Sequence, residues 1–321
     1  MPKLTFLQAI QAAQFEEMSR DNTVFIMGED VQCNMFGTTT GMLDAFGKDR
    51  VRDTPIAEAG MAGVAAGAAM VGMRPIVDFT ISPFLYPAFD QIMSIIAKSR
   101  YLYGGQARVP LVLRANMIYG NGNAAQHSDR SYPMFMTTPG LKIMVPSSAY
   151  EMKGLMKTAI RDDDPVMSFE DAKLWSSSSE IPDEEYLIPF GKANVAREGK
   201  DCTVVAIGAM MTLALAAADE LAADNIACEV IDPRTLAPLD TTTILESVQR
   251  TGRLVVVDVA HGRCSAASEI SAVVSDEGFW DLRAPIVRVT TENTHIPFSR
   301  VEADLYPSKD KIVAAVRRTL S

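Results

Sequence analysis

The sequence predicts an α/β protein with two parallel-sheet domains, and two features of the chain support this. Short apolar runs rich in β-branched residues alternate with segments of helical periodicity, the pattern of βαβ units. The alternation is interrupted once, around residues 171–200, by four consecutive serines and a Pro-acidic stretch typical of a linker. A chain of 321 residues also has room for about two domains at ~150 residues each. We therefore expect one domain at 1–175, a linker at 176–198 and a second domain at 199–321.

The first domain is predicted to begin with a helix over residues 5–19, for which Thr5 is a suitable N-cap because its hydroxyl can accept a backbone N–H. An uncharged run of small residues from Ala59 to Met73 predicts a second, tightly packed helix. The other elements follow from β-branched runs and helical spacing. They are strands at 24–27, 76–79, 110–114, 141–145 and 166–169, and helices at 88–97 and 149–160.

The second domain repeats the same alternation of strand and helix. Apolar β-branched runs predict its strands, and the segments between them carry apolar residues at helical spacing. The predicted strands cover 203–207, 227–231, 254–257 and 286–289, and the helices cover 210–223, 240–250, 265–275 and 308–320.

Composition and charge exclude several classes of protein. The net charge of −10 and the lack of a Lys/Arg block argue against nucleic-acid binding. The three histidines lie far apart with no His-Glu-x-x-His, which argues against a metalloprotease. The run 59–73 is too short and too rich in glycine to span a bilayer, which needs ~20 apolar residues. We expect no nucleic-acid partner and no membrane association.

Cysteine usage and the N-terminus indicate a compartment. The four cysteines are scattered and none forms Cys-x-x-Cys, which is typical of a reducing compartment and argues against a disulfide framework or a structural zinc site. No signal peptide is visible, since Met1-Pro2-Lys3 leads directly into an amphipathic segment. We expect a cytoplasmic protein.

Three glycines, Gly60, Gly63 and Gly67, come closest to a nucleotide-binding motif. No strand–turn–helix in the sequence carries Gly-x-Gly-x-x-Gly, however, and no Gly-x-x-x-x-Gly-Lys-[Ser/Thr] occurs. Inside a helical run, small residues at this spacing more often allow two helices to approach closely. We interpret the glycines as an interface, for example with another subunit.

Glu58 is the one carboxylate at the start of that apolar helix. A lone acid at a helix–helix or subunit seam is costly unless a hydrogen bond holds it or chemistry uses it. The alternative is an exposed acid that interacts favourably with the helix dipole. From these residues alone the two interpretations have about equal weight.

Two further segments carry candidate site residues. Phe84 and Tyr86 follow a predicted strand, at the carboxyl end of a parallel sheet where ligands usually bind, and an aromatic ring there can stack on a planar heterocycle. His127 lies in a polar loop. It is either a solvent-exposed histidine or a proton donor and hydrogen-bond partner to an oxyanion. His261 and His295 lie in similar loops of the second domain, with less support.

In chain order, several segments together resemble the beta subunit of the thiamine-diphosphate-dependent decarboxylating component of 2-oxo acid dehydrogenase complexes. That family includes the pyruvate, branched-chain and acetoin dehydrogenases. The resemblance covers essentially the whole chain and depends on many colinear matches, each of which would be weak alone. The matching segments are Gly28-Glu29-Asp30, Asp53–Gly60, Phe84–Gln91, Gln126-His127-Ser128, Pro139-Gly140-Leu141-Lys142, Ala159–Pro165 and Asp232–Asp240.

The resemblance implies a fold, a cofactor, partners and a reaction. It implies a pyrimidine-binding, transketolase-like domain followed by a transketolase C-terminal-like domain. Two such chains would assemble with two homologous alpha subunits, with thiamine diphosphate at the alpha–beta seam. In family members the alpha subunit holds the diphosphate and Mg²⁺ through a Gly-Asp-Gly motif, which this sequence lacks. The implied reaction is oxidative decarboxylation of a small 2-oxo acid, or cleavage of acetoin, with acyl transfer to a lipoyl group on an acyltransferase core.

The resemblance also implies roles for single residues. Glu58 occupies the position of the carboxylate that hydrogen-bonds to the aminopyrimidine ring and activates the cofactor. Phe84 matches the aromatic residue that stacks on this ring, and Tyr86 lies beside it. His127 matches the histidine on the substrate side, where it would stabilise intermediates or assist transfer to lipoamide. Glu29 matches an acid near a buried route proposed to couple the two sites.

A structural monovalent cation, K⁺ for example, is implied as well. Its candidate ligands are Asp162, the backbone at Ala159 and Leu111, and Asp164. Oxygen ligands of this kind suit a hard cation.

The sequence departs from the family pattern around the substrate pocket and the subunit seam. Val31–Gly37 lacks the usual Tyr-Gly-Gly, and Ser82-Pro83 replaces a more common Ala-Asp. Asn116–Tyr119 occurs where many relatives are rich in glycine, and Arg263–Ser268 replaces a Gly-Ala-Glu turn. The substrate therefore stays open between a 2-oxo acid and acetoin, and Arg263–Ser268 resembles the acetoin branch.

Two other functions stay open. One is a stand-alone thiamine enzyme related to transketolase, against which the missing diphosphate motif argues. The other is a non-catalytic assembly or regulatory chain that kept the fold. The presence of Glu58, Phe84 and His127 together argues against the second alternative.

Overall fold

The computed structural model describes residues 2–298 and 300–321, except for the side chain of Arg300. These residues form two compact units. The first unit contains Ile118 and the residues before it, together with 134–190. The second unit contains 119–133 and 191–321.

The described residues form the following regular elements. The strands are β1 (Lys3–Thr5), β2 (Val24–Gly28), β3 (Val51–Asp53), β4 (Arg74–Ile81), β5 (Val112–Met117), β6 (Lys142–Met144), β7 (Val166–Asp171), β8 (Ser178–Glu180), β9 (Asn194–Arg197), β10 (Cys202–Ala206), β11 (Cys228–Asp232), β12 (Thr235–Ala237), β13 (Leu254–His261) and β14 (Val287–Thr291). The α-helices are α1 (Phe6–Arg20), α2 (Met42–Phe46), α3 (Glu58–Met70), α4 (Ser99–Leu102), α5 (Ala124–His127), α6 (Tyr132–Met136), α7 (Ala149–Arg161), α8 (Met210–Ala222), α9 (Thr241–Thr251), α10 (Ala266–Glu277) and α11 (Lys309–Leu320).

The first unit is built on a parallel sheet in which neighbouring strands follow the order β6-β7-β5-β4-β2-β3. The central strands β2 and β5 are buried along their whole length, as expected where helices cover both faces of a parallel sheet. Helix α1 packs against α7, and α3 packs against β4. Strand β1 forms a separate antiparallel ribbon with β8.

The second unit contains a sheet of order β14-β13-β10-β11-β9. Its pairings are parallel except at one edge, where β9 runs antiparallel to β11. Strand β13 lies inside this sheet and buries every residue but the last. Asp258, in the C-terminal half of this strand, is fully buried.

The predicted α/β class is confirmed, and so are most predicted elements. Thr5 caps α1 as expected: its side chain accepts the amide of Gln8 at 3.2 Å, while the Gln8 side chain accepts the amide of Thr5 at 2.9 Å. This is a capping box, which satisfies two backbone donors at once.

The helix predicted at 88–97 is wrong in type. A 3₁₀ segment covers Ser82–Ala88, and a π-helical turn covers Gln91–Ile96. Pro87 lies inside the first segment and has no backbone N–H to donate, which disrupts regular α-helical hydrogen bonding. The predicted linker also contains the short strands β8 and β9.

Two observations bear on the expected environment of the chain. Among the residues that the structure describes, no helix has both the length and the apolar character needed to cross a membrane. The four cysteines are free thiols; Cys33 and Cys264 are exposed, and Cys202 and Cys228 are buried.

Candidate active site

Glu29, the first of the predicted cofactor residues, directly follows β2 at the carboxyl edge of the first sheet. In the register of this sheet, Gly28 at the end of β2 lies opposite Asp53 of β3 and Asp78 of β4. The amide of Thr54 donates to the carbonyl of Gly28 at 3.0 Å, which holds the chain close to this edge after β3. The carboxyl edge of a parallel sheet is the usual place for a ligand.

Gly28 is required where these strands approach each other. A Cβ atom on it would lie 2.5 Å from the carbonyl oxygen of Asp78, which is closer than real contacts allow. The missing side chain therefore lets β2 and β4 approach directly before Glu29.

Glu58 is the first residue of α3 and is half-buried. The preceding residue, Ala57, offers no side chain to cap the helix. Helix α3 packs against the 3₁₀ segment Ser82–Ala88, so Glu58 and Phe84 belong to neighbouring elements. Phe84 and Tyr86 are both half-buried.

The structure brings Glu29 and Glu58 within electrostatic reach. Partial burial raises the pKa of Glu29 above its ordinary value, and the negative charges of Glu58, Asp30 and Asp78 raise it further. An acid whose pKa is raised beside a second acid is a common arrangement at sites of proton transfer. The sequence separation of the two residues gives no sign of this proximity.

A strained turn leads from β4 into the aromatic segment. Thr80 has a φ of +63°, a left-handed conformation that costs a residue with a Cβ about 1–2 kcal/mol. Two hydrogen bonds hold it: its amide donates to Asp78 Oδ1 at 2.9 Å, and its carbonyl accepts from Asn116 Nδ2 at 2.7 Å. Backbone strain of this kind is concentrated at functional sites.

A cavity of about 10 Å³ lies beside this turn, lined in part by Glu29, Asp78 and Thr80. It has room for about one water molecule. Two larger grooves, of about 570 and 870 Å³, lie on the second unit, and their linings include none of the predicted site residues.

A buried ionic network that was not predicted from the sequence supports this edge of the sheet. Arg114 on β5 pairs with Glu170 on β7 and with Asp78 on β4, and its Nη1 also donates to Gln14 of α1 at 3.1 Å. All four side chains are buried. In the sequence, the one indication of this network is Arg114, a charged residue inside the apolar run of β5. When both faces of a sheet are covered, such a charge needs a buried partner.

His127 lies at the end of α5 and is exposed. Its segment, 119–133, belongs to the second unit, whereas the sequence analysis placed it within 1–175. The physical reason is a set of buried contacts inside the second unit, among them the Tyr132 hydroxyl on the Asp258 carboxylate. His261 contacts the carbonyl of Glu292 through Nδ1 at 2.8 Å, and His295 is exposed.

Comparison with known proteins identifies the family. Residues 2–174 match the family described as transketolase, pyrimidine binding domain, and residues 191–312 match transketolase, C-terminal domain. The pyruvate dehydrogenase E1 component subunit beta of Rickettsia felis is 43% identical over 319 residues, which cover 98% of each chain. The chain belongs to the E1 beta-subunit family of thiamine-diphosphate-dependent dehydrogenases.

Other relatives support the same family. The acetoin:2,6-dichlorophenolindophenol oxidoreductase subunit beta of Bacillus subtilis is 42% identical and covers 99% of this chain and 97% of its own length. Its counterpart from Cupriavidus necator is 44% identical over a similar span. Among solved structures, a split gene transketolase described as an inactive beta4 tetramer has a TM-score of 0.82 at 25% identity, with 99% of this chain and 98% of that chain covered.

The donor set of the first unit fits the pyrimidine end of the cofactor expected for an E1 beta subunit. Glu58 offers a carboxylate for a ring nitrogen, and Phe84 is only half-buried, which leaves ring surface for stacking. Among the described residues, no group of three His, Cys, Asp or Glu side chains is arranged to hold a metal ion.

Ala159, Asp162 and Asp164 lie at the end of α7 or in the turn that leads to β7, and Leu111 is hydrogen-bonded to Val166, the first residue of β7. The Asp162 carboxylate accepts from Lys142 Nζ at 2.8 and 2.6 Å, and the Asp164 carboxylate pairs with Arg100. The carbonyls of Ala159 and Leu111 each accept one backbone amide, at 3.3 and 3.0 Å. Since a carbonyl oxygen has two lone pairs, these two oxygens keep capacity for a hard cation.

Proposed function

We propose that this chain is the beta subunit of an E1 component that, with an alpha subunit, catalyses thiamine-diphosphate-dependent oxidative decarboxylation of a small 2-oxo acid and acyl transfer to lipoamide. The observation that carries the proposal is the electrostatic interaction of Glu29, which follows β2, with Glu58, the first residue of a helix that packs against the segment of Phe84. It occurs in a chain that is 43% identical over nearly its full length to a pyruvate dehydrogenase E1 beta subunit.

Each residue has a distinct task in this proposal. The Glu58 carboxylate would hold a nitrogen of the aminopyrimidine ring by a hydrogen bond, Phe84 would offer its ring for stacking, and Tyr86 would line the same pocket. Glu29, whose pKa is raised by partial burial and by the charge of Glu58, would be the acid next to it in the site. When bound, thiamine diphosphate supplies the carbon nucleophile and the electron sink that decarboxylation needs.

His127 is proposed to serve the substrate side. It is exposed at the end of α5, where its ring can donate a hydrogen bond to an oxygen of the substrate or to the incoming lipoyl sulfur.

Several observations support an alpha partner. Helix α3 exposes Val64 together with Gly60, Gly63 and Gly67, and Ile56 and Val71 at its two ends are more than four-fifths exposed. A helix with such an uncovered small and apolar stripe suits close packing against another chain. We propose two alpha and two beta chains, with the diphosphate and Mg²⁺ held on alpha, and docking on a lipoyl acyltransferase core. The free thiols support a cytoplasmic location.

Acetoin is the second candidate substrate. The two acetoin oxidoreductase beta subunits are as similar to this chain as the pyruvate dehydrogenase subunits are. Identity over the whole chain therefore does not choose between the two, and the substrate has to be measured.

The test is assay of the chain copurified with its alpha partner. Thiamine-diphosphate-dependent reduction of ferricyanide is measured with pyruvate, branched-chain 2-oxo acids and acetoin. We expect turnover with one of them, none with either chain alone, and loss of turnover in Glu58→Gln with the complex intact. A complex that binds the cofactor but turns over none of these substrates, with or without Glu58, would favour the non-catalytic alternative.

A monovalent cation completes the proposal. We place it at the α7–β7 turn, on the backbone oxygens of Leu111 and Ala159, with Asp162 and Asp164 alongside. Its role there would be structural: together with the ion pairs of Asp162 with Lys142 and of Asp164 with Arg100, it would hold the turn in place.

A further inference from the structure

The segment 119–133, which carries His127, is attached to the rest of the second unit through buried side chains on both sides of α5. We refer to these side chains together as the latch. The latch consists of Tyr119, Arg130, Tyr132, Asp258, Glu302 and Tyr306.

The attachment after α5 begins with Tyr132. Its hydroxyl donates to Oδ1 of Asp258, a fully buried carboxylate in the C-terminal half of β13. The same carboxylate accepts the amides of Ala260 at 2.8 Å and Ala267 at 3.1 Å. A buried carboxylate requires such donors, so loss of the Tyr132 hydroxyl would leave it with two amide donors in place of three donors.

Arg130 adds a second attachment on this side. Its Nε donates to the carbonyl of Val259 at 3.0 Å, and Nη1 donates to the carbonyl of Ser128, the residue that follows His127. The guanidinium lies 5.8 Å from the ring centre of Tyr119 and 5.5 Å from that of Tyr306. Desolvated cation–π contacts of this kind are strong, and Arg130 is only 5% exposed. The backbone directly after His127 is thereby fixed.

The attachment before α5 is made by Glu302. Its Oε1 accepts the amide of Gly122 at 2.6 Å, and its Oε2 accepts the hydroxyl of Tyr306 at 3.2 Å. Glu302 is 4% exposed, so both bonds are shielded from water. Since Tyr306 also contacts the Arg130 guanidinium, the attachments on the two sides of α5 share one side chain.

Between these attachments the chain is short and open. Helix α5 covers four residues, none of them buried, and His127 is its exposed last residue. A helix of one turn is not stable by itself, because nucleation is costly and little is gained by propagation. The latch therefore anchors the chain on both sides of this short helix.

We infer that Arg130, Tyr132 and Glu302 are positioning residues for His127, and that they hold α5 in the place from which this histidine serves the reaction. The inference rests on the role proposed for His127. It extends that role to three buried side chains of the second unit. If the latch only stabilised the fold, its loss would act on turnover independently of His127.

The test compares Tyr132→Phe with a matched control, Tyr186→Phe, in the assembled alpha–beta complex. The Tyr186 hydroxyl donates to the carbonyl of Tyr150 at 2.9 Å, so the control also loses one tyrosine hydrogen bond, but in the first unit. Hydrogen exchange of the amides of 121–128 is one readout. The second is kcat/KM with a lipoyl acceptor for each variant, alone and combined with His127→Gln.

We expect exchange at 121–128 to rise about tenfold in Tyr132→Phe and to stay unchanged in the control. We also expect kcat/KM to fall about tenfold in Tyr132→Phe but to fall no further when Tyr132→Phe is added to His127→Gln. Arg130→Lys, which keeps the charge but loses the planar fork, is the second variant and should behave in the same way if Tyr132→Phe fails to fold.

Three results would overturn the inference. The first is exchange that does not differ from the control. The second is a loss of turnover that adds in full to that of His127→Gln, since this is the signature of general destabilisation. The third is full turnover of His127→Gln, which removes the role of His127 itself; Glu58→Gln still tests the proposed function separately.

Discussion

Arg114 and Glu170 form a two-pronged ion pair in the centre of the first sheet. Nε lies 2.8 Å from Oε1 and Nη2 lies 2.7 Å from Oε2, and both side chains are completely buried. Burial alone would lower the pKa of Arg114, but the charges of Glu170 and Asp78 outweigh it and raise that pKa. Asp78 thus pairs with Arg114 and also accepts the amide of Thr80, which ties the candidate site to the core.

Removal of one charge from this pair should be strongly destabilising. We expect Glu170→Gln to lower the free energy of unfolding by about 3–5 kcal/mol, because it leaves Arg114 buried with less compensation. Urea unfolding followed by the fluorescence of Trp175, in a Trp280→Phe background, reports on the first unit. The control is Arg108→Gln, which breaks an exposed pair with Asp163 in the same unit and should change stability by less than about 1 kcal/mol. Equal effects would contradict the proposed energetics.

The raised pKa of Glu29 gives a pH dependence with a definite sign. Above its ordinary value of 4.5, the folded chain keeps a proton that the unfolded chain has released. Stability therefore falls as pH rises from 4.5 through the raised pKa. Since the Glu58 charge contributes, Glu58→Gln should lower the pKa of Glu29. Carboxyl ¹³C titration of the isolated chain measures this pKa. An unchanged Glu29 pKa in Glu58→Gln would show that the two acids do not interact.

Gly28 and Gly63 should respond in opposite ways to the same substitution. Gly28→Ala places a methyl group 2.5 Å from a backbone oxygen of β4 and should cost about 1–3 kcal/mol. Gly63→Ala meets open space inside α3 and should stabilise the isolated chain by up to about 1 kcal/mol. Thermal unfolding of the two variants checks this. Destabilisation by Gly63→Ala would indicate contacts around Gly63 within the isolated chain.

A bulkier substitution tests whether α3 faces a partner. In the isolated chain Gly63→Leu should leave the melting temperature close to that of Gly63→Ala, because its side chain points into open space. Assembly with the alpha chain should fail, since the added side chain would prevent close helix approach. Size-exclusion chromatography with light scattering gives the mass of the complex. If Gly63→Leu formed a normal heterotetramer, this face of α3 would not be the interface with the alpha chain.

The proposed cation site predicts dependence on the type of salt. At constant ionic strength, exchange of choline for K⁺ should raise the melting temperature of the chain, because a ligand that binds only the folded state stabilises it by mass action. Differential scanning calorimetry over a series of K⁺ concentrations measures the effect. Equal melting temperatures in the two salts would show that no K⁺ stabilises the fold and that Lys142 and Arg100 alone neutralise the carboxylates of the α7–β7 turn.

Much of the fold could be predicted from the sequence because its strands are buried and β-branched. The runs at 24–27 and 254–257 have no polar face, and each forms an interior strand of its sheet. The error at 88–97 has a local cause. The spacing of apolar residues predicts a helix but does not take into account that Pro87 has no backbone N–H to donate. Strands of three residues, such as β8, carry too short a pattern to detect.

The candidate site could be predicted only in part. Glu58 and Phe84 stand out by their surroundings in the chain, and their family roles stay predictions. The proximity of Glu29 and Glu58 follows from the register of β2, β3 and β4, which no local pattern contains. Asp258 lies within an apolar run whose periodicity predicts a strand but gives no sign that its donor, Tyr132, comes from another part of the chain.

Because Tyr132 precedes the second sheet in the chain, its bond to Asp258 limits which fragments of the protein can fold separately. A fragment that begins at Gly191 would contain the complete second sheet, yet the Asp258 carboxylate would lose Tyr132, and Glu302 would lose the amide of Gly122. The C-terminal half is therefore not an autonomous module, although its boundary looks clean along the sequence. Exchange of this half between relatives should preserve function only when residues 119–133 are transferred with it.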